Sequence, residues 1–137
     1  MEIVIIRFAQ YHAALTGRLF IDGRHVADTL EHAGHCLPTG TYRLEKRFNR
    51  HERGYDYVVG GDRPLSGVCG IYGRFRDRVA VGESPCQGFL LHSTAVFAAL
   101  RHRIKQAFAR RHTVTVIIRR VTAPGDVRRM IDLGRAE

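Results

Sequence analysis

A thiol and an imidazole in the second half of the sequence are the first candidates for chemistry. A catalytic cysteine needs a general base about 3–4 Å away, because the thiolate is the nucleophile. Cys86 and His92 are the nearest such pair. Six extended residues span roughly 20 Å, but Gly88 could bend the chain and bring the two together. The pair is therefore a candidate catalytic dyad, and the alternative is a small buried cysteine with a histidine at a strand-to-helix corner.

A second group of side chains could bind a metal. Glu31, His32, His35 and Cys36 are close in sequence, and all are ligand types. The His-x-x-His-Cys spacing lies in a predicted loop, however, whereas zinc sites usually combine two paired ligand clusters. A polar loop is the favoured interpretation, and neither a metal nor another cofactor is predicted. Cys69 is interpreted as a strand cysteine that faces the core.

Positive charge is the strongest feature outside the structural patterns. The chain has 22 Lys and Arg against 13 Asp and Glu, a formal charge of +9, and residues 101–137 hold ten of the basic and three of the acidic side chains. Clustered arginine binds phosphate bidentately and gives salt-dependent affinity for polyanions such as nucleic acid or a cell-wall polymer. Aromatic residues are sparse among these charges, and a solvated basic surface is the alternative. The candidate polyanion-binding residues are Arg74, Arg76 and Arg78, which share a face if extended, with Arg101 and Lys105 on a predicted helix.

Short segments rich in β-branched residues predict the strands that would position these side chains. Asp22-Gly23 separates two such segments and favours a type I′ turn, because both central residues of that turn need positive φ. Residues 60–64, rich in Gly and ending in Pro, are expected to end the strand over residues 55–59. The predicted strands are residues 2–9, 15–21, 24–30, 41–46, 55–59, 68–72, 79–81, 89–91 and 113–120.

The spacing of apolar residues changes after residue 93 and predicts one long helix. Ser93 is the expected N-cap, its hydroxyl accepting an N–H of the first turn. From residue 94 to about 110, apolar side chains recur at helical spacing and form one stripe. Pro124 is expected to open a short helix through Leu133. The pattern predicts a single α+β domain over residues 1–137, mainly antiparallel β as a small sheet or barrel, with the long helix packed on it and a short C-terminal helix.

Length and composition exclude several other classes of protein. The 137 residues are 45% hydrophobic and 26% charged, which is typical of a globular domain rather than a disordered or collagen-like chain. No apolar run approaches the roughly 18 residues of a membrane span. The N-terminal apolar stretch is interpreted as a strand rather than a signal peptide, which predicts a cytoplasmic location, with release by lysis left open. The three cysteines form no C-x-x-C pair, so reduced thiols are expected.

Several segments occur in an order that resembles a known family. They are Thr16-Gly17-Arg18-Leu19, Asp28-Thr29-Leu30-Glu31, Cys36 through Tyr42, Val79 through Ser84, and the helix after Ser93. Together these segments resemble a family of small bacterial and phage proteins without an assigned activity, which is similar to L,D-transpeptidase-like domains. The resemblance covers residues 4–108 and implies a β-rich scaffold, encoded by a bacterium, a phage or a mobile element.

Two motifs of that family have no counterpart here. Members that look enzymatic carry an Ile-His-x-Gly-Asn stretch and a Gly-Cys-Ile strand. The first would fall near residues 69–73 and the second near Asp77-Arg78, where this sequence has neither the histidine nor the cysteine. The resemblance therefore implies a non-catalytic module that acts by binding or interaction. Two alternatives stay open: a cysteine-dependent enzyme on cell-wall peptides that uses Cys86 and His92, and a basic protein that binds nucleic acid or another polyanion.

Overall fold

The computed structural model describes residues 1–51, 53–67, 76–84 and 90–121. Within these ranges it contains eight strands and one helix. In chain order they are β1 Glu2–Tyr11, β2 Ala14–Ile21, β3 Arg24–His32, β4 Gly40–Asn49, β5 Gly54–Val59, β6 Arg63–Ser66, β7 Val79–Gly82, α1 Ser93–Ala109 and β8 Thr115–Arg120. No helix in these ranges is long and apolar enough to cross a membrane.

The strands close into a barrel in the order β1-β2-β3-β7-β6-β5-β4-β8, and β8 pairs back onto β1. Six of the neighbouring pairs are antiparallel, whereas β1–β8 and β6–β7 are parallel. The prediction of an α+β fold with a mainly antiparallel, barrel-like sheet and one long helix is confirmed. The predicted C-terminal helix and the predicted strand at residues 68–72 lie outside the described residues.

The hairpin between β2 and β3 forms as predicted. Asp22 and Gly23 have φ values of 49° and 89°, as a type I′ turn requires at both central positions. The carboxylate of Asp22 also accepts a hydrogen bond of 3.0 Å from the backbone N–H of Glu2. The turn therefore sets the β2–β3 register as far as Phe20, where a bulge shifts it, and ties the start of β1 to the same corner of the barrel.

The helix α1 covers one end of the barrel. Leu100, Ile104 and Ala107 are buried in the same core cluster as the inward-facing residues of β1 to β3. Phe108, at the C-terminal end of α1, stacks on Tyr57 of β5 with ring centroids 5.4 Å apart. The barrel end beneath α1 is called the helix end below, and the opposite end the far end.

The start of α1 differs from the prediction. The N-cap is His92, in the left-handed region at φ 54°, and it makes no side-chain capping hydrogen bond. Ser93 is instead the first helical residue, and its hydroxyl is buried without a hydrogen-bond partner among the described residues. A Cβ at Gly82 would lie 2.7 Å from the Ser93 hydroxyl, so this hydroxyl is packed against β7 and cannot cap the helix.

The segment after residue 59 ends β5 at Val59 as predicted, but a strand that was not predicted follows within it. Arg63–Ser66 forms β6. Pro64 is tolerated because this strand is short and pairs with β5 only at Pro64 and Arg63. Leu91 forms an isolated bridge to Glu83 rather than part of a strand.

Candidate functional site

A buried ion pair lies inside the barrel towards the far end. Arg7 of β1 donates from Nε and Nη2 to the two carboxylate oxygens of Glu31 of β3, at 2.9 and 2.8 Å. The side chains are only 3% and 2% exposed. Burial opposes the charged form of Arg7, but the hydrogen bond and charge of Glu31 outweigh it and raise the pKa of Arg7. The pair is thus a buried salt bridge with two charge-assisted hydrogen bonds.

A glycine on the intervening strand makes room for this pair. Gly17 of β2 pairs with Arg7 of β1 on one side and with Thr29 of β3 on the other. A Cβ at Gly17 would lie 2.6 Å from the hydroxyl oxygen of Thr29 and 3.0 Å from the carbonyl oxygen of Ile6. Because no side chain stands there, the guanidinium can cross β2 and reach Glu31.

Histidines and arginines surround the far end and form what we call the far-end cluster: His32, His35, Arg63 and Arg76. Arg76 Nη2 lies 2.9 Å from His35 Nε2. Arg63 donates from Nε and Nη2 to the carbonyl oxygen of His35 at 3.1 and 2.8 Å. A guanidinium only donates, so Nε2 of His35 is the acceptor in this bond.

The second histidine of the far-end cluster sits against the first. The rings of His32 and His35 are 4.7 Å apart. Partial burial, followed by the neighbouring His35 and Arg76, lowers the pKa of His32. The backbone N–H of Gly34 donates to Nδ1 of His32 at 3.1 Å. Burial and the neighbouring positive charge thus favour the neutral form of the His32 imidazole.

The connection from β3 to β4 carries a thiol, and the start of β4 carries a phenol. Cys36 donates to the carbonyl oxygen of Ala33 at 3.6 Å, and Tyr42 donates to the carbonyl oxygen of Pro38 at 2.6 Å. The hydrogen bond of the Cys36 thiol thus goes to a backbone oxygen rather than to an imidazole.

The metal interpretation of this loop finds no support in the described part of the chain. The carboxylate of Glu31 is occupied by Arg7, and Nε2 of His35 by Arg76. No group of three or more His, Cys, Asp or Glu side chains among the described residues is placed to hold a metal ion. Glu31 and His32 lie at the end of β3 rather than in a loop, and the Cys36 thiol donates to the backbone of Ala33.

Of the two residues of the predicted dyad, the structure describes only His92. Cys86, like Cys69, lies outside the described residues. His92 is 67% exposed at the start of α1, and its Nδ1 lies 3.1 Å from a carboxylate oxygen of Glu83. A carboxylate beside an imidazole is the arrangement that orients a general base, and the dyad itself stays a prediction.

The predicted polyanion-binding residues are dispersed over the molecule. Arg74 lies outside the described residues, and residues 76–78 form a turn and a bend rather than an extended segment. Arg78 is paired with the adjacent Asp77 at 3.0 Å. Arg76 belongs to the far end, whereas Arg101 and Lys105 are exposed on α1 at the helix end. The described members of this set therefore do not form one surface.

Sequence reasoning missed the buried pair, although a signal for it was present. Arg7 follows Ile3 and Ile5 at alternating positions of β1, all of which are buried. Glu31 likewise follows Ala27 and Thr29 on the inward face of β3. A charged residue in phase with core residues on each of two strands indicates a buried ion pair, because neither charge is tolerated alone.

Comparison of the sequence and the structure with known proteins identified no relative of this chain. No protein-family model matches the chain, and neither a curated protein nor a solved structure matches it. The likeness to L,D-transpeptidase-like domains stays a prediction that rests on the motifs quoted above.

Proposed function

We propose that this protein is a non-catalytic binding module on an L,D-transpeptidase-like scaffold, with its ligand-binding surface at the far end. One observation carries the proposal. Arg78 stands directly before β7, where the motifs put the family's nucleophile, and it is paired with Asp77 at 3.0 Å. A guanidinium stays protonated at any physiological pH and cannot attack a carbonyl, but it does bind anions.

The chemistry of the far-end cluster favours an anionic ligand. Arg76 is exposed, and one of its N–H groups is directed at His35. A guanidinium carries five N–H donors in a planar fork that matches a carboxylate. Carboxylate-bearing peptides of the cell wall or their precursors fit this surface. We place the module in the cytoplasm, with lysis as a route of release.

A second candidate function is a cysteine-dependent enzyme acting on cell-wall peptides. The carboxylate of Glu83 beside the imidazole of His92 favours it, because a general base is commonly oriented in this way. The nucleophile would be Cys86, only three residues after Glu83 in the sequence. This candidate requires product formation, whereas a binding module requires only saturable binding.

One experiment separates the two candidates. The protein is titrated with a disaccharide-tetrapeptide from peptidoglycan, binding is measured by calorimetry, and the mixture is analysed by mass spectrometry for cleaved or cross-linked products. We expect saturable binding without products, weakened about tenfold in Arg76→Gln, as for loss of one charged hydrogen bond. Arg110→Gln, an exposed arginine at the end of α1, is the matched control and should bind as the wild type does.

Two outcomes would overturn the binding module. Products that disappear in Cys86→Ala would identify the enzyme instead. The absence of both binding and products would remove the cell-wall peptide as a ligand and the far-end cluster as its site.

A further inference from the structure

Strands β4 and β5 extend beyond the barrel as a two-stranded arm. β8 pairs with β4 only over Gly40–Arg43, whereas β4 and β5 stay paired as far as Asn49 and Gly54. Near the tip of this arm, Phe48 and Tyr55 face each other across the two strands, with ring centroids 5.5 Å apart in an edge-to-face arrangement. They are 55% and 47% exposed.

Positive charge is held against these rings. Lys46 lies on the same face of β4 as Phe48, and its ammonium is 4.1 Å from the centroid of the Tyr55 ring. Arg101 of α1 donates from Nη2 to the carbonyl oxygen of Tyr55 at 3.3 Å, and the exposed Lys105 follows one helical turn later. We call Lys46, Phe48, Tyr55 and Arg101 the aromatic–basic face.

The acidic residues of the two arm strands point the other way. Glu45 and Asp56 lie one position out of phase with Lys46 and Tyr55, so their side chains occupy the opposite face of the arm. Asp56 accepts a hydrogen bond there from the Asn49 amide at 3.0 Å. The alternation therefore leaves the aromatic–basic face with cations and rings and without a carboxylate from β4 or β5.

The arm is also packed against α1 at its base. Tyr57, the next residue on this face of β5, is 3% exposed and stacks on Phe108 of α1. The hydrogen bond from Arg101 anchors the middle of α1 to the edge of the same strand. A ligand at the exposed rings would therefore meet a preformed surface and would not have to order it.

We propose that the aromatic–basic face binds single-stranded nucleic acid. Two exposed rings beside two fixed cations match the repeating unit of such a strand, in which a planar base alternates with a phosphate. A duplex keeps its bases stacked inside and offers only phosphates to this face. An acidic peptide would engage the cations and leave the rings unused, whereas an uncharged sugar polymer could pack on the rings but would leave the cations unused. This site is at the helix end and does not depend on the ligand proposed for the far end.

The test uses a fluorescein-labelled oligo-uridine of about 12 nucleotides and its DNA counterpart, with binding followed by fluorescence anisotropy at about 50 mM salt. We expect Phe48→Ala to weaken binding about 5- to 150-fold, the range for loss of one stacked base. Tyr11→Ala removes an equally exposed ring, 57% accessible, at the far end of β1 and should change nothing. Phe48→Leu, which keeps an apolar side chain, covers the case in which the alanine variant fails to fold.

The salt dependence tests the cations. Two phosphate contacts predict that affinity falls about sevenfold between 50 and 200 mM salt, and Lys46→Gln with Arg101→Gln should remove this dependence. Three results would overturn the proposal. They are unchanged affinity in both Phe48 variants with the fold intact, equal affinity for the corresponding duplex, and equally effective competition by polyphosphate or polyglutamate. The last would identify a general polyanion surface instead.

Discussion

Loss of the Glu31 charge should be among the most destabilising single changes in this chain. The change Glu31→Gln keeps the shape of the side chain but leaves the Arg7 guanidinium, 3% exposed, without a counter-charge. Both donor–acceptor distances, 2.9 and 2.8 Å, are those of strong charge-assisted hydrogen bonds. Breaking a buried pair by removing one partner typically costs about 3–5 kcal/mol, and we expect a loss of this size in the free energy of unfolding.

A double variant that replaces both partners distinguishes the cost of an unpaired buried charge from that of a general packing defect. Replacing both partners, as Arg7→Met with Glu31→Leu, removes both desolvation penalties and should return the stability to within about 2 kcal/mol of the wild type. Glu45→Gln, an exposed carboxylate on β4, should change the stability by less than about 0.5 kcal/mol. Urea denaturation followed by circular dichroism gives all four free energies.

The pH dependence of this effect follows from the direction of the pKa shift. The pKa of Arg7 is raised in the folded protein, so its contribution is complete below the ordinary pKa of arginine and is lost only as the pH rises past that value. The charge of Arg7 is therefore constant across the neutral range. The reasoning is refuted if Glu31→Gln costs less than about 1 kcal/mol, or if the double variant is no more stable than Glu31→Gln.

Two further predictions concern the same end of the barrel. Gly17→Ala should lower the free energy of unfolding by about 1–3 kcal/mol, because the new Cβ would lie 2.6 Å from the Thr29 hydroxyl oxygen. Gly34→Ala should cost far less, because the nearest atom to its Cβ belongs to a flexible side chain at 3.3 Å. Equal melting temperatures in thermal denaturation of these two variants would contradict this. NMR titration should give His32 a pKa below the ordinary value of histidine, because burial and the charge of Arg76 disfavour protonation of the ring. The variant Arg76→Gln should raise the pKa of His32. Because that pKa is lowered on folding, His32 should reduce stability as the pH falls below about 6.5, and an unshifted titration would exclude the mechanism.

Local features of the fold were predictable because neighbouring residues decide them. The Asp22-Gly23 turn follows from the tolerance of these two residue types for positive φ. The helix over Ser93–Ala109 follows from the spacing of its apolar side chains. The start of this helix was not predictable, because packing against Gly82 decides where the Ser93 hydroxyl points.

The arrangement of the sites depended on long-range pairing. Arg7 and Glu31 are 24 residues apart, and closure of β1, β2 and β3 into a barrel brings their side chains together across Gly17. Arg101 and Tyr55 are 46 residues apart, and they meet because α1 crosses the barrel end from which the arm projects. No spacing within one segment encodes either contact.

The sequence by itself determined a basic α+β protein with short strands, a type I′ hairpin and one amphipathic helix, since composition and local periodicity control those properties. Only the tertiary structure decided that the strands close into a barrel with two parallel pairings and that Arg7 is paired with Glu31 in its core. It also decided that Arg76 lies at one end of the barrel and Arg101 at the other. The physical reason is that burial and register act between distant segments. They determine which charges are paired in the interior and which remain exposed beside aromatic rings.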